Sequence, residues 1–130
     1  MITKRCSIIN VGFFRIARLA SLKSSYRVKV GCVIALHGVP VSIGFNRVKS
    51  HPRSAKRCKT LHAEMDAIIS AQTSLDGGIA YVYRERADGS LGLSRPCLSC
   101  YKALSQAGIK KIYYSTKIGY SIERMQNDNV

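Results

Sequence analysis

Two short motifs, separated by 31 residues, constrain the fold of this chain more than any other feature. The first, His62–Glu64 (H-A-E), supplies an imidazole and a carboxylate, and the second, Pro96–Cys100 (P-C-L-S-C), supplies two thiols. A separation of this length leaves room for a helix, a strand and a loop, which can bring the motifs together. His62, Cys97 and Cys100 are then ligands of the types that zinc prefers, and zinc with three protein ligands keeps a fourth position for water.

The chemistry of such a site also explains the acidic residue beside the ligands. Two thiolates neutralise the charge of Zn²⁺, and the metal lowers the pKa of its bound water from about 15.7 toward roughly 7. Glu64 is not needed as a ligand and is predicted to transfer protons. The alternative is a structural site closed by a fourth ligand, for which Cys58 and His51 are candidates. A closed site has no use for Glu64, so the motif favours a catalytic centre.

The spacing within each motif predicts where it lies on its helix. His62 and Glu64 are two residues apart, so both reach one metal only if the helix begins at His62 and the metal lies beyond its N-terminus. Cys97 and Cys100 share one face of a helical turn, and Pro96 suits the first helical position. Two helix N-termini then converge on the metal, and their partial positive charges favour thiolate and carboxylate.

The two motifs together match the H-x-E and P-C-x-x-C signature of zinc-dependent nucleobase deaminases. Over roughly residues 7–115, the chain resembles the cytidine and deoxycytidylate deaminase superfamily, and the run His62–Met65 resembles the deoxycytidylate (dCMP) branch. This resemblance implies an enzyme that holds Zn²⁺ and converts cytosine to uracil with release of ammonia. It assigns catalysis to Glu64 and metal binding to His62, Cys97 and Cys100.

The resemblance also implies substrate contacts. The run Gly44-Phe45-Asn46 resembles the Gly-x-Asn that ends the second strand in several branches, where the Asn contacts the sugar, and the residue after the metal-binding His contacts the base, which points to Asn46 and Ala63. Homo-oligomers are common in the family. Because the superfamily also contains tRNA adenosine deaminases and polynucleotide cytosine deaminases, an adenosine deaminase acting on tRNA or DNA is an alternative.

The periodicity of apolar residues predicts an α/β fold. The expected elements, in order, are a helix over 7–24, strands over 28–36 and 41–46, a helix over 62–72, a strand over 79–84, a helix over 96–107 and a strand over 109–115. The segment 47–61 is expected to be an irregular loop. We predict a single deaminase domain over 1–130, built as a three-layer αβα sandwich of the cytidine deaminase-like type, with a mixed sheet and an antiparallel first hairpin. Residues 116–130 are expected to add a short final element and a frayed tail.

The charge distribution points to an anionic partner. The net charge is +14, and residues 1–63 contain 13 Lys or Arg residues but neither Asp nor Glu. A field of one sign attracts polyanions. The partner could be single-stranded nucleic acid or the phosphate of a free nucleotide, and the alternative is a solvated basic surface with no specific partner. The candidate phosphate-binding residues are Arg47, Lys49, Arg53, Lys56, Arg57 and Arg95. Arg84 and Arg86 could also reach substrate, or could pair with Glu85 and Asp88.

Composition limits the cellular setting. The chain has no apolar run long enough to span a bilayer, so no membrane partner is expected. Of the five cysteines, Cys6, Cys32 and Cys58 show no disulfide framework, which favours a reducing, cytoplasmic location. Cys32 lies in an apolar strand and is expected in the core.

Two classes of function remain open on the sequence. One is the zinc-dependent deaminase, acting on dCMP or on cytosine in single-stranded nucleic acid. The other is a non-catalytic, zinc-stabilised module that binds nucleic acid through the basic half of the chain. The presence of Glu64 favours the enzyme, because a purely structural site does not require that carboxylate.

Overall fold

The computed structural model describes residues 11–48 and 60–125. These residues form three helices and seven strands, numbered here in chain order: α1 (Val11–Ser21), β1 (Lys29–Leu36), β2 (Val39–Phe45), β3 (Arg47–Val48), β4 (Thr60–Leu61), α2 (Ala63–Ser70), β5 (Ile79–Glu85), α3 (Leu98–Gln106), β6 (Lys111–Thr116) and β7 (Gly119–Arg124). Residues 1–10, 49–59 and 126–130 lie outside the described part, so the predicted start of the first helix near Ser7 and the predicted frayed tail stay predictions. None of the described helices is both long and apolar enough to cross a membrane.

Five strands form one mixed sheet in the order β2-β1-β5-β6-β7. Strand β1 is antiparallel to both of its neighbours, and its register places Val30 opposite Arg84. Strands β5 and β6 are parallel, which is the pairing expected for strands joined through a helix, here α3. The predicted antiparallel first hairpin and mixed sheet are therefore confirmed. The short element expected after residue 116 is β7, which pairs antiparallel with β6.

Helix α1 covers one face of the sheet with aromatic side chains. Phe13 and Phe14 are 6% and 2% exposed, and their rings lie 4.8 and 5.4 Å from the ring of Tyr81. Tyr81 in turn stacks on Tyr113, with ring centroids 4.9 Å apart. Offset and edge-to-face ring contacts of this kind stabilise a core. These aromatic residues thus pack the fold on the face covered by α1.

Helices α2 and α3 cover the other face and complete the predicted three-layer αβα sandwich. Cys32 and Leu104 are fully buried between these helices and the sheet, as expected for Cys32. Helix α2 packs closely on β2, because a Cβ atom added at Gly44 would lie 2.4 Å from the carbonyl oxygen of Ala63 and from the backbone nitrogen of Ala67. Only glycine permits that approach, so Gly44 sets the position of the first turn of α2.

Two local features differ from the sequence-based expectations. The sequence predicts a loop or a poorly regular segment over 47–61, but the two ends of this segment pair as β3 and β4, with Arg47 opposite Leu61. The prediction that Pro96 occupies the first helical position is wrong, because α3 begins at Leu98 and Cys97 is its N-cap. An N-cap residue keeps an extended backbone while its carbonyl accepts the first helical hydrogen bond, here from the Tyr101 amide at 2.8 Å.

Candidate metal centre and its pocket

The three predicted metal ligands meet at the N-termini of α2 and α3. Nδ1 of His62 lies 3.4 Å from Sγ of Cys100 and 3.7 Å from Sγ of Cys97, and the three donor atoms all lie within 4.8 Å of one another. Tetrahedral zinc, with bonds of about 2.3 Å to sulfur and 2.05 Å to nitrogen, separates nitrogen from sulfur by about 3.55 Å. The observed spacing therefore fits one zinc ion held by these side chains.

The local backbone explains why His62 and Cys97 are available as ligands. Each residue is the N-cap of its helix, with extended φ/ψ angles of −70°/152° for His62 and −70°/169° for Cys97. The carbonyl of His62 accepts the first hydrogen bond of its helix, from the Asp66 amide at 2.9 Å. Neither N-cap side chain hydrogen-bonds to its own helix. Both side chains can thus project beyond the helix ends, where the partial positive charge of the helix dipoles favours an anionic ligand.

Cys100 lies one turn into α3 and is only 3% exposed. Burial raises the pKa of its thiol, and the neighbouring carboxylate of Glu64 raises it further. A coordinated cation deprotonates a thiol in such a setting. The donor set, two thiols and an imidazole beside a carboxylate, has the chemistry that Zn²⁺ prefers and that Mg²⁺ or Ca²⁺ does not.

Glu64 lies in the first turn of α2, immediately beside the ligand cluster. It is 6% exposed, and it lines the same pocket as His62 and Cys97. Burial raises the pKa of the Glu64 carboxyl above its ordinary value, while a backbone hydrogen bond and the nearby His62 offset part of that effect. The carboxyl group is thus placed where it can exchange a proton with a molecule bound in the pocket.

A pocket of about 210 Å³ opens beside this cluster. His62, Ala63, Glu64 and Cys97 contribute to its lining from the helix N-termini, and the start of β1, the end of β5 and the segment before α3 supply the rest, including Arg84. The site thus combines a metal-ligand cluster, a buried carboxylate and a cationic side chain around one concave volume.

Two buried serines hold the segment that leads into α3. Ser94 donates a hydrogen bond from Oγ to the carbonyl oxygen of Val82 at 2.8 Å, and the Ser115 amide donates to Oγ of Ser94 at 2.8 Å. Ser115 also donates from Oγ to the Gly92 carbonyl at 2.8 Å and accepts from the Arg84 amide at 3.0 Å. These bonds fix the pocket wall to β5 and β6.

Of the two predicted substrate contacts, Ala63 lies in the pocket and Asn46 supports it. Ala63 is 1% exposed and contributes to the pocket lining. Asn46 accepts a hydrogen bond from the Val30 amide at 2.9 Å and donates one to the Val28 carbonyl at 2.8 Å. Val28 and Val30 both line the pocket. The side chain of Asn46 thus positions β1, and its contact with a sugar stays a prediction.

The predicted phosphate-binding residues fall into three groups. Arg47 forms an ion pair with the buried Asp66, with Nη2 2.5 Å from Oδ1, and therefore serves the packing of β3 on α2. Arg95 lines the pocket but pairs with Glu123. The remaining four lie outside the described residues: Lys49, Arg53, Lys56 and Arg57.

The structure adds partners that sequence reasoning missed. The Arg95–Glu123 pair joins residues 28 positions apart, and no short-range spacing in the sequence signals it. The contribution of Val28 and Val30 to the pocket was also missed, because their apolar alternation indicated only a core strand. The lining by Arg84 agrees with the suggestion that this residue could reach substrate.

Comparison with known proteins identifies relatives over most of the chain. Residues 10–116 match the sequence profile of the cytidine and deoxycytidylate deaminase zinc-binding region. The chain is 34% identical over 110 residues to an uncharacterized deaminase in the luxG 3′ region of Aliivibrio fischeri, an alignment covering 78% of this chain and 68% of the relative. It is 32% identical over 117 residues to a probable deoxycytidylate deaminase of Caenorhabditis elegans, covering 78% of this chain but only 54% of that protein.

Solved structures similar to this chain include a dCMP deaminase, in agreement with the sequence relatives. The dCMP deaminase of cyanophage S-TIM5, crystallised in apo form, superposes with a TM-score of 0.63 at 29% identity, covering 81% of this chain and 80% of that one. The same enzyme in complex with dCMP and dUMP gives a TM-score of 0.64 at 26% identity, covering 81% and 79% of the two chains. The resemblance read from the two motifs is thereby confirmed.

Proposed function

The chain belongs to the cytidine and deoxycytidylate deaminase family of hydrolytic enzymes, and from that premise we propose that it deaminates the cytosine of a phosphate-bearing substrate, with dCMP as the first candidate. The products are uracil on the same sugar and ammonia. One observation carries the proposal: His62, Cys97 and Cys100 form one ligand cluster, and two of them, His62 and Cys97, line a single pocket together with Glu64.

The residues of the pocket divide the reaction between them. His62, Cys97 and Cys100 would hold Zn²⁺, which supplies a Lewis acid that lowers the pKa of a bound water toward neutrality. Glu64 accepts a proton from the water that attacks C4 of cytosine and delivers protons to N3 of the ring and to the amino group. The amino group leaves as ammonia, and the oxygen of the water becomes O4 of uracil. The backbone of Ala63 is suited to orient the base.

The choice of cytosine and of a nucleotide rests on the relatives. The cyanophage enzyme, 26% identical to this chain, was crystallised with dCMP and dUMP, and the motif His62–Met65 resembles that branch. Cytosine in single-stranded nucleic acid is the second substrate candidate, because residues 1–63 carry 13 basic residues and no acidic ones. Adenosine in tRNA or DNA is a third, since the same zinc chemistry acts at C6 of adenine.

A non-catalytic zinc module is the competing class of function. It would bind nucleic acid through the basic residues without releasing ammonia. The burial of Glu64 beside the ligand cluster opposes this reading, because burying an ionisable carboxyl group that has no task costs free energy.

The test is direct. Purified, zinc-loaded protein is incubated with dCMP, cytidine, single-stranded DNA and tRNA, and the products are analysed by mass spectrometry for uracil and inosine while ammonia release is followed. We expect dUMP and ammonia from dCMP. If inosine in tRNA were the only product, the substrate base would be adenine and not cytosine. If the zinc-loaded protein released no ammonia from any of these substrates, the enzymatic function would be overturned.

The setting of the protein completes the proposal. Cys32 forms no disulfide with the other described cysteines, which suits a reducing cytoplasm, where thiols persist. Assembly into a homo-oligomer and a single domain over 1–130 stay predictions. Light scattering of the zinc-loaded protein would test the assembly, and limited proteolysis would test the single domain.

A further inference from the structure

Two arginines line the pocket, and their surroundings differ. Arg84 stands at the end of β5, and Arg95 lies in the segment before α3. Resting on the proposed function, we infer that Arg84 is the residue that recognises the substrate's phosphate, and that Arg95 is not. Arg84 would thus be the side chain by which this site distinguishes a nucleotide from a nucleoside.

The charge of Arg95 is already neutralised. Its Nε and Nη2 atoms donate to Oε1 and Oε2 of Glu123 at 2.9 and 2.8 Å. This bidentate geometry uses both carboxylate oxygens and balances the charge of the guanidinium. A phosphate that approached the remaining donors of Arg95 would meet the repulsion of the Glu123 carboxylate.

The charge of Arg84 has no such partner among the described residues. Its Nη1 donates to the carbonyl oxygen of Leu93 at 3.2 Å, and a carbonyl carries no formal charge to balance the guanidinium. Its Nε is buried and has no hydrogen-bond partner. The guanidinium of Arg84 thus has no counter-charge among the described residues, and an anion in the pocket would supply one.

The fold holds Arg84 in this position. The register of β1 and β5 sets it opposite Val30, and its amide donates to Oγ of Ser115 at 3.0 Å. The side chain lies against Gly92, where an added Cβ atom would come within 3.0 Å of Cδ and Nε of Arg84. The glycine thus leaves the space that the arginine occupies.

Arginine suits this task because its planar guanidinium offers several donors to phosphate oxygens and stays charged at any physiological pH. A nucleoside without phosphate would leave the cation of Arg84 without a counter-charge. The phosphate could be the monoester of a free nucleotide or the phosphodiester of a strand, since both present anionic oxygens beside the sugar.

Equilibrium binding of products tests the inference without requiring turnover. Dissociation constants of dUMP and deoxyuridine are measured by calorimetry on the zinc-loaded protein, and the ratio of the deoxyuridine constant to the dUMP constant reports phosphate recognition. Replacing Arg84→Gln should reduce that ratio by about 10- to 100-fold, the value of hydrogen bonds to a charged group, and Arg84→Lys should restore part of it. Gly92→Ala, which crowds the guanidinium but keeps its charge, should reduce the ratio by a smaller factor.

Two matched variants remove one positive charge elsewhere. Arg95→Gln changes the ion-paired arginine of the same pocket, and Arg86→Gln changes an exposed arginine on the hairpin that follows β5. Both variants should leave the ratio within about threefold of its value in the unsubstituted protein. Salt screens the attraction between the phosphate and charges that do not contact it, so these charges contribute little to the affinity. Zinc content and thermal unfolding show that each variant is folded.

The outcomes separate this inference from the proposed function. An unchanged ratio in Arg84→Gln, or a collapse in Arg95→Gln alone, would overturn the inference even in an active deaminase. Failure of the unsubstituted protein to release ammonia from any cytosine compound would instead overturn the proposed function. Repeating the measurement with the dinucleotide d(TpU) distinguishes the two sources of phosphate. If Arg84→Gln weakens the binding of dUMP, the phosphate recognised is the monoester of a free nucleotide. If Arg84→Gln weakens only the binding of the dinucleotide, it is the phosphodiester of a strand.

Discussion

The carboxylate of Asp66, a buried residue of α2, accepts a hydrogen bond from Nη2 of Arg47 at 2.5 Å. It also accepts one from the Phe45 amide at 3.0 Å, and the guanidinium of Arg47 lies 5.4 Å from the centre of the Phe45 ring. These contacts join the end of β2 and the start of β3 to the helix whose N-cap is His62. An arginine that the charge pattern assigned to phosphate binding therefore stabilises the helix that carries the metal ligand.

Replacing Arg47→Ala should lower the free energy of unfolding by about 2 kcal/mol, because Asp66 would keep a buried charge without its cation. The loss stays below that of a fully buried pair, since the side chain of Arg47 is 44% exposed. Urea denaturation measures it. The double variant Arg47→Ala/Asp66→Asn should lose less than the sum of the single changes, and strictly additive losses would show that the pair is not coupled.

The ligand cluster predicts one zinc ion per chain. Cys100→Ser should bind less than a tenth of the zinc of the unsubstituted protein, because an alcohol is a poor zinc ligand beside a thiolate. Metal analysis by mass spectrometry gives the stoichiometry. Cys32→Ala is the matched control, since Cys32 is also fully buried and is not in the cluster. Loss of zinc in Cys58→Ala would instead support a site closed by a fourth ligand.

Glu64→Gln should lower kcat for ammonia release by about 10²- to 10⁴-fold while zinc stays bound, because the amide keeps the shape of the side chain but cannot accept the proton. Steady-state kinetics and metal analysis on the same sample test this. Glu85→Gln is the control, because Glu85 pairs with Arg18 of α1 rather than lining the pocket. Full activity in Glu64→Gln would remove Glu64 from the mechanism.

Gly44→Ala should destabilise the protein by about 3 kcal/mol, the upper end of the cost of overpacking. The new Cβ would lie 2.4 Å from backbone atoms of Ala63 and Ala67, so α2 itself must move. We therefore expect weaker zinc binding as well as a lower midpoint in thermal unfolding. Gly92→Ala is the matched control, because its Cβ meets only the flexible side chain of Arg84. Equal losses in the two variants would contradict this account.

Salt should separate the two classes of substrate. If the basic half of the chain binds single-stranded DNA, the logarithm of the binding constant should fall with the logarithm of salt concentration with a slope of about −0.7 per phosphate contacted. Binding of dUMP, which offers one phosphate, should give a slope no steeper than about −1. Fluorescence titrations at several salt concentrations measure both. Equally shallow slopes would favour a mononucleotide substrate and leave the basic residues as a solvated surface.

Several features of the fold could be predicted because they depend on short stretches of chain. The helical spacing of Phe13 and Ala17 and the alternation in β1 report which side of each element is buried. The H-x-E and P-C-x-x-C spacings likewise predicted the candidate metal ligands, since the functional residues within each motif are separated by at most one turn of helix. Even the wrong assignment of Pro96 to the first helical position displaced the start of α3 by only two residues.

The pairing of the arginines could not be predicted in the same way. The chain has 21 Lys or Arg residues and 7 Asp or Glu residues, so most cations have no acidic partner and the sequence does not say which of them do. The register of β6 with β7 and the loop before α3 bring Glu123 to Arg95, and the packing of β3 on α2 brings Arg47 to Asp66. The hydrogen bonds of Asn46 to the backbone of Val28 and Val30 also depend on long-range packing, and its contact with a sugar stays a prediction.

The amino-acid sequence by itself indicated the candidate metal ligands, the carboxyl group proposed to transfer protons, and the order of the helices and of the strands of the main sheet, because these depend on spacings of a few residues. Only the tertiary structure decided which of the described arginines are paired with a carboxylate. The reason is that a guanidinium is neutralised only by a carboxylate within a few ångströms, and that distance is set by strand register and helix packing between residues far apart in the chain.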